Sequence, residues 1–310
     1  MTEGNRVPII LDVDTGVDDA LALAYAANRP DLDLVAVTTV AGNVDIARAT
    51  ENTRRVLAYL GRDDVPVHRG ASRPLARSHR PASYAHGHDG LGGVQLPAAR
   101  RSLEETPGPA TIIRLARERP GELTLVAVGP LTNLAIALNV EPRIAEWIPS
   151  VVVMGGAFRC PGNITALAEY NIWEDPEAAA QVFEAPFAST TLIGLDVTMQ
   201  VGFARATAAE LAKRGELNPA ADLAVRVSQQ TWDERGLDQL WLHDPLAVAV
   251  AAEPGLVGYS DDAVEVVVTG EAEGQTKVAG PGRLKVATSV DVDGFLQRFH
   301  SALGADVVTS

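Results

Sequence analysis

Along most of the chain, short all-apolar runs alternate with stretches whose apolar residues recur at helical spacing. Val7–Leu11 reads as a strand buried on both faces, and Leu21, Leu23, Ala24 and Ala27 follow at helical intervals. The step repeats with Leu32–Thr39, rich in β-branched residues, a turn at Ala41–Gly42–Asn43, and a helix over Asp45–Leu60. It resumes with a helix over Ala110–Arg119, a strand over Leu123–Val128, a helix at Thr132–Leu138 and a strand at Ser150–Met154. A helix then starts near Asp175–Pro176, and Thr190–Leu195 is a further strand. Two helical stretches, Arg205–Arg214 and Ala220–Glu234, are separated by Gly215 and Pro219; an Ala/Val-rich helix covers Leu246–Ala252. Ala263–Val268 and Lys285–Ser289 read as a β-rich edge, closed by a helix around Gly294–Leu303.

Strands separated by helices imply parallel pairing with right-handed crossovers. No linker, repeat or low-complexity tract divides the 310 residues, so we expect one large α/β domain over 1–310. Its sheet should be open, mostly parallel and Rossmann-like, flanked by helices, with ligands at the carboxyl ends of the strands.

The periodicity fails from Gly70 to Pro97, where Arg, Ser, Pro, His and Gly dominate. A loop of that length is functional or disordered, and its glycines suit a flap over a site. It carries His79, His86 and His88. Such histidines are commonly just solvated, so this is weak evidence alone. A second irregular stretch, from Cys160 to Ala179, holds Asn163, Glu169 and Asn171. These side chains fit either a polyhydroxylated ligand or turns, Glu169 being the least expected as a turn former.

The densest chemistry sits directly after the first strand. Asp12, Asp14, Asp18 and Asp19 crowd around Thr15–Gly16 at a strand-to-helix junction. Carboxylates so close repel one another unless a cation or a set of hydroxyls lies between them. Gly16 can adopt backbone angles closed to other residues, and Asp18 is placed to cap the new helix. Capping and dipole effects ask for one carboxylate, not four. Asn43 falls at the next strand end, though Asn tolerates such turns anyway. Gly129–Pro130 puts the Val128 carbonyl at the same edge. His243–Asp244 opens the Ala/Val-rich helix, equally readable as a cap or as ligands.

The formal charge of −14, from 40 acidic and 26 basic side chains, opposes binding to nucleic acid or anionic membranes. A single cysteine, Cys160, precludes an intramolecular disulfide and fits a reducing compartment. With no apolar core in MTEGNRVPII and no stretch of membrane-spanning length, a cytoplasmic location is expected.

Taken together, the motifs resemble the nucleoside hydrolase family, which includes the inosine–uridine-preferring and pyrimidine-specific ribonucleoside hydrolases. DVDTGVDDALAL is similar to that family's DxDxGxDDAxA signature, with Thr15 where proline is usual. The likeness continues in order through Ala41–Gly42–Asn43, His86–Gly87, Asp89–Gly90, VAVGPLTNLA, MGG, GNITALAEYNIWEDPEAA and His243–Asp244. It implies a Ca²⁺ held by Asp14, Asp19, the Val128 carbonyl and Asp244, with Asp14 as general base toward the attacking water. It implies that Asp18, Asn43, Asn163, Glu169 and Asn171 bind ribose, with Met154 against the sugar. His86 and His243 would surround the departing base, His243 as proton donor. A homodimer or homotetramer is implied as well. Gln229, Gln230, Thr231, Trp232 and Arg235 fall where relatives place base contacts, without a secure alignment; the His243–Asp244 pair leans away from purine-specific enzymes.

The chemistry calls for such a set independently. Cleaving an N-glycosidic bond passes through an oxocarbenium-like state, which needs a held sugar, negative charge nearby and water on the opposite face. Two competitors are open to test. Asp12–Val13–Asp14 after a buried strand superficially fits a haloacid-dehalogenase-like phosphatase, but Lys213, Lys277 and Lys285 lack that enzyme's context. A non-catalytic ribonucleoside-binding protein would keep the sugar site without turnover.

Overall fold

The computed structural model describes residues 6–213 and 216–304, with only the backbone of residues 83, 230, 234 and 235. Among the described residues, eleven strands form a nine-stranded sheet and a two-stranded one. They are β1 (Val7–Val13), β2 (Leu32–Thr39), β3 (Val67–Arg69), β4 (Thr124–Ala127), β5 (Ser150–Met154), β6 (Thr190–Ile193), β7 (Gly202–Ala204), β8 (Gln239–Trp241), β9 (Val257–Val266), β10 (Thr276–Pro281) and β11 (Leu284–Val290). The large sheet has the order β10-β9-β11-β6-β5-β4-β1-β2-β3. It is parallel from β11 to β3, while β9 runs antiparallel to both β10 and β11.

Both faces of the sheet's parallel part are covered, which is why β1, β4, β5 and β6 are buried along nearly their whole length. Alternate residues of β1 feed different cores: Ile9, Leu11 and Val13 join one, Ile10 the other. The first core is closed mainly by helices α1 (Val17–Asn28), α2 (Ile46–Tyr59) and three later ones given below; the second by α4 (Gly108–Glu118), α5 (Thr132–Val140), α6 (Ile144–Trp147) and α8 (Pro176–Glu184). Between these lie two short helices, α3 (Ser83–His86) and α7 (Tyr170–Glu174). The chain continues through α9 (Leu195–Thr198), α10 (Arg205–Ala212), α11 (Pro219–Arg235), α12 (His243–Ala252) and α13 (Val292–Ala302). Of these, α11, α12 and α13 pack on the first core, with Trp232, Phe203 and Phe299 at its aromatic centre.

The strand order reverses between β4 and β1, the kind of place where open α/β sheets bind ligands. Register aligns the ends there: Val13 pairs with Thr39, and Asp12 with Ala127. The loops after β1, β2, β4 and β5 therefore emerge side by side.

The expected alternation holds, with differences where pairing is long-range. The strand expected at Ala263–Val268 is Val257–Val266, and β3, β10 and the β7–β8 pair are additions. β3, β7 and β8 are three residues each, too short to show a period. The helix expected over Arg205–Arg214 ends at Ala212; Arg214 and Gly215 lie outside the described residues. No described helix is long and apolar enough to cross a membrane.

Candidate active site

A cavity of about 220 Å³ opens at the switch point. Its lining includes Asp18, Asn43, His86, Val128, Met154, Asn163, Glu169, Asn171, His243 and Asp244, drawn from six separate chain segments. Asp14 and Asp19 are fully buried beside it. The candidates for metal and sugar, with His86 and His243, are thus gathered in one place.

The acidic turn is built by its own hydrogen bonds. Asp19, in the first turn of α1, accepts the backbone N–H groups of Gly16 (2.8 Å) and Asp14 (3.0 Å), and the Asn43 amide at 3.1 Å. This corrects the expectation for Asp18: the carboxylate that closes the helix start is Asp19, and the cap position is Gly16. Asp18 is turned toward the cavity instead. Gly16 has φ −95°, open to any residue. It is required for closeness, because a Cβ there would lie 2.6 Å from His86 Nδ1 and 2.8 Å from Asn43 Nδ2.

One oxygen of Asp14 accepts the Asn43 N–H at 2.6 Å; the other is buried with no hydrogen-bond partner. Carboxylate oxygens of Asp18, Asp19 and Asp244 all lie within 4.8 Å of one another. Asp244 sits in the first turn of α12, where Leu242 holds the cap position, so the capping alternative for His243–Asp244 is not what forms. Burial pushes the carboxyls of Asp14 and Asp244 well above their ordinary range, reinforced by their acidic neighbours. Asp18 and Asp19 are pushed up to about 6, again chiefly by burial. The cluster is an electrostatic strain that a cation would relieve.

The donor set fits a hard ion. It consists of oxygens only, and two ligands at the usual 2.3–2.6 Å from one Ca²⁺ are at most about 5 Å apart, which the 4.8 Å spacing satisfies. The Val128 carbonyl accepts the Asn171 side-chain amide at 2.8 Å, so its second lone pair is the one left to an ion.

Glu169, Asn163 and Asn171 are each fixed by hydrogen bonds to the backbone. Glu169 caps α7, accepting N–H groups from Asn171 (2.9 Å), Ile172 (3.2 Å) and Gly156 (3.0 Å). The residue least expected to form a turn is thus the one that starts a helix. Asn163 accepts the Tyr170 N–H at 2.9 Å, and Asn171 also donates to the Met154 carbonyl at 3.2 Å. The hydroxyl of Tyr170 reaches the Gly42 carbonyl at 2.7 Å, tying this loop to the Asn43 turn.

The three loop histidines separate cleanly. His86 faces the cavity, its Nδ1 accepting the Val17 N–H at 3.1 Å and lying 3.7 Å from Asp18. His88 is exposed and is not among the lining residues. His79 pairs with buried Glu174 at 2.9 Å, and Arg80 stacks on Trp173 at 3.4 Å, so the base of the loop is clamped.

The stretch before His243 needs correction. Trp232 is fully buried in the aromatic core against Phe203, Thr231 is buried, and Gln229 is exposed and pairs with Asp233. The side chains of Gln230 and Arg235 lie outside the described residues. The remaining cavity wall comes instead from Tyr84, Met199, Leu237, Leu240 and Trp241, which sequence reading missed. Among the described residues neither Lys nor Arg lines the cavity.

The chain matches the family model described as inosine-uridine preferring nucleoside hydrolase over residues 9–297. It belongs to that nucleoside hydrolase family. Among relatives, this nucleoside hydrolase is 35% identical to a probable uridine nucleosidase of Arabidopsis thaliana, over 89% of its own length and 87% of the relative's. It is 37% identical to a non-specific ribonucleoside hydrolase of Escherichia coli, covering 94% and 96%. Among solved structures, a purine-preferring ribonucleoside hydrolase from Gardnerella vaginalis superposes with a TM-score of 0.89 at 33% identity, covering 96% of this hydrolase and 98% of that chain. The three relatives differ in the bases their names state, so membership alone leaves the nucleobase of this hydrolase open.

Proposed function

We propose that this nucleoside hydrolase cleaves the N-glycosidic bond of ribonucleosides to ribose and free base, with Asp14 as general base and His243 as proton donor to the leaving group. The observation that carries the assignment to Asp14 is its unpartnered buried oxygen beside the Asp18–Asp19–Asp244 cluster. Asp14, Asp19, Asp244 and the Val128 carbonyl would hold Ca²⁺. Bound there, the ion supplies charge neutralisation, lowers the pKa of the attacking water and offers positions to sugar hydroxyls.

Asp14 takes the proton from the attacking water, its orientation set by the Asn43 N–H. Asp18, Asn43, Asn163, Glu169 and Asn171 hold the ribose, with Met154 against it. Because Glu169 is already fixed by three N–H groups, its carboxylate needs little reorganisation when the ring becomes cationic. His86 and His243 stand beside the base, and the largely apolar wall of Tyr84, Met199, Leu237, Leu240 and Trp241 suits the flat face of a purine or pyrimidine. We take residues 1–310 as one hydrolase domain, since the family match and the sheet both run through it. The enzyme is taken to be cytoplasmic, on the single cysteine and the absence of a long apolar stretch, and homodimeric or homotetrameric, as the family likeness implies.

The test is reducing-sugar release from uridine, inosine, cytidine and adenosine by the native protein and Asp14→Ala, with and without a chelator. Native activity should fall on chelation and return with Ca²⁺, and Asp14→Ala should lose about 10²–10⁴-fold. Unchanged activity in Asp14→Ala removes Asp14 from the mechanism. Nucleoside binding without turnover favours a binding protein, and phosphate release from phosphomonoesters without ribose release favours a phosphatase.

A further inference from the structure

α9 follows β6 directly, and its last residue, Thr198, is fully buried at the carboxyl edge of the sheet. Thr198 Oγ1 lies 2.7 Å from Nδ1 of His243, the first residue of α12. The next residue along, Met199, lines the cavity. A single turn at the end of β6 therefore serves both the wall of the cavity and the proposed proton donor.

A hydroxyl is one donor with two acceptor lone pairs, and a buried O–H with a single partner is satisfied only by donating to it. Among the described residues the Thr198 hydroxyl makes no other hydrogen bond. To a neutral His243 the hydroxyl donates at Nδ1, and from the protonated ring it accepts Nδ1–H; in both arrangements Nε2 carries the hydrogen left for the base. In the opposite tautomer the hydrogen would sit on Nδ1, directed at Thr198 and away from the base.

We propose that Thr198 is a positioning residue for base departure: its hydroxyl fixes the rotation of the His243 ring and keeps the transferable hydrogen on Nε2. The inference rests on the reading of His243 as the proton donor. In the step, protonated His243 passes its Nε2 proton to a ring nitrogen of the leaving base as the C1′–N bond breaks, and becomes a neutral imidazole whose Nδ1–H is held by Thr198 Oγ1. The bonding pair stays on the base, and the hydroxyl of the attacking water forms the new C1′–O bond.

The experiment compares two leaving groups in one protein preparation. Uridine and inosine leave as bases that need a proton, whereas p-nitrophenyl β-ribofuranoside releases p-nitrophenolate, which does not. Thr198→Val is nearly isosteric but can neither donate to Nδ1 nor accept from it. It should lower kcat on uridine and inosine by about 10–100-fold, leave KM within about twofold, and leave p-nitrophenyl riboside within about twofold. Thr198→Ser should restore nucleoside turnover. The ratio of the two activities is independent of how much of a variant folds, so a poorly folding Thr198→Val still gives an answer. An equal fall on both substrate types, or an unchanged ratio, overturns the positioning role. His243→Ala separates this from the reading beneath it. If His243→Ala leaves the uridine to p-nitrophenyl riboside ratio unchanged, His243 is not the donor. If it collapses that ratio and Thr198→Val does not, only the role of Thr198 fails.

Discussion

Gly42→Ala offers a direct test of how Asp14 is held. The backbone of Gly42 is in a conformation open to other residues, so the effect of the change is steric. A Cβ at this position would stand 2.0 Å from Asp14 Oδ2 and 2.8 Å from both Asp14 Cγ and Pro130 Cδ. Separation to a tolerable 3.0 Å requires about 1 Å of movement. The carboxylate is fully buried, so it has little room to retreat. Rotation instead gives up the 2.6 Å bond from the Asn43 N–H. A hydrogen bond to a charged group contributes about 1.5–3 kcal/mol, and a 1 Å misplacement of a reacting group costs about 10²-fold. We expect kcat for ribose release to fall by about 10²-fold or more, with a Tm lower by a few degrees. Gly255→Ala is the control: nothing lies within 4 Å of a Cβ there, and it should match the native protein. Native kcat and Tm in Gly42→Ala would show that the Asp14 carboxylate is not pressed against this turn, and the proposed geometry of the base would fail with it.

Two further outcomes are accessible to ordinary assays. Ribonucleosides should be turned over at least about 100-fold faster than their 2′-deoxy counterparts, since a missing hydroxyl strands buried polar groups among Asp18, Asn43 and their neighbours; equal kcat/KM would contradict the sugar assignment. For pH, burial lowers the pKa of His300, whose Nδ1 has no hydrogen-bond partner. The unfolded chain then binds more protons at this residue, so its contribution is neutral well above the unfolded value near 6.5 and destabilising as pH falls below it, by at most about 1.4 kcal/mol per pH unit. Urea midpoints of native protein and His300→Gln between pH 7.5 and 5 should diverge, the variant losing less stability, and parallel curves would disprove the effect.

How far the sequence was legible follows from how local each signal is. β1, β2, β4, β5 and β6 announce themselves because strands covered on both faces must be continuously apolar, and the helices between them force parallel pairing. Four carboxylates around one turn demanded a cation or hydroxyls, and the structure gathers Asp18 and Asp19 with Asp244 from more than 200 residues away. Signals failed where tertiary placement alone decides. Trp232 and Trp241 lie in one stretch of similar composition, yet Trp232 packs on Phe203 while Trp241 lines the cavity. The difference depends on β8 pairing with β7, a contact that three-residue strands do not advertise.

For Glu169 the sequence leaves turn former and sugar ligand as alternatives, although one carboxylate can serve both. In the structure one oxygen takes the Asn171 N–H and the other takes those of Ile172 and Gly156, so the cap itself aims the group into the cavity. Each carboxylate oxygen has about two lone-pair sites, and the Asn171-bound oxygen keeps one for a hydroxyl. Asp19 follows the same logic, closing the start of α1 while its oxygens stand within reach of Asp18 and Asp244. Capping is therefore how this fold immobilises Glu169 and Asp19, and at these two positions the local motif that signals a helix start is also what aims a carboxylate at the cavity or its acidic cluster.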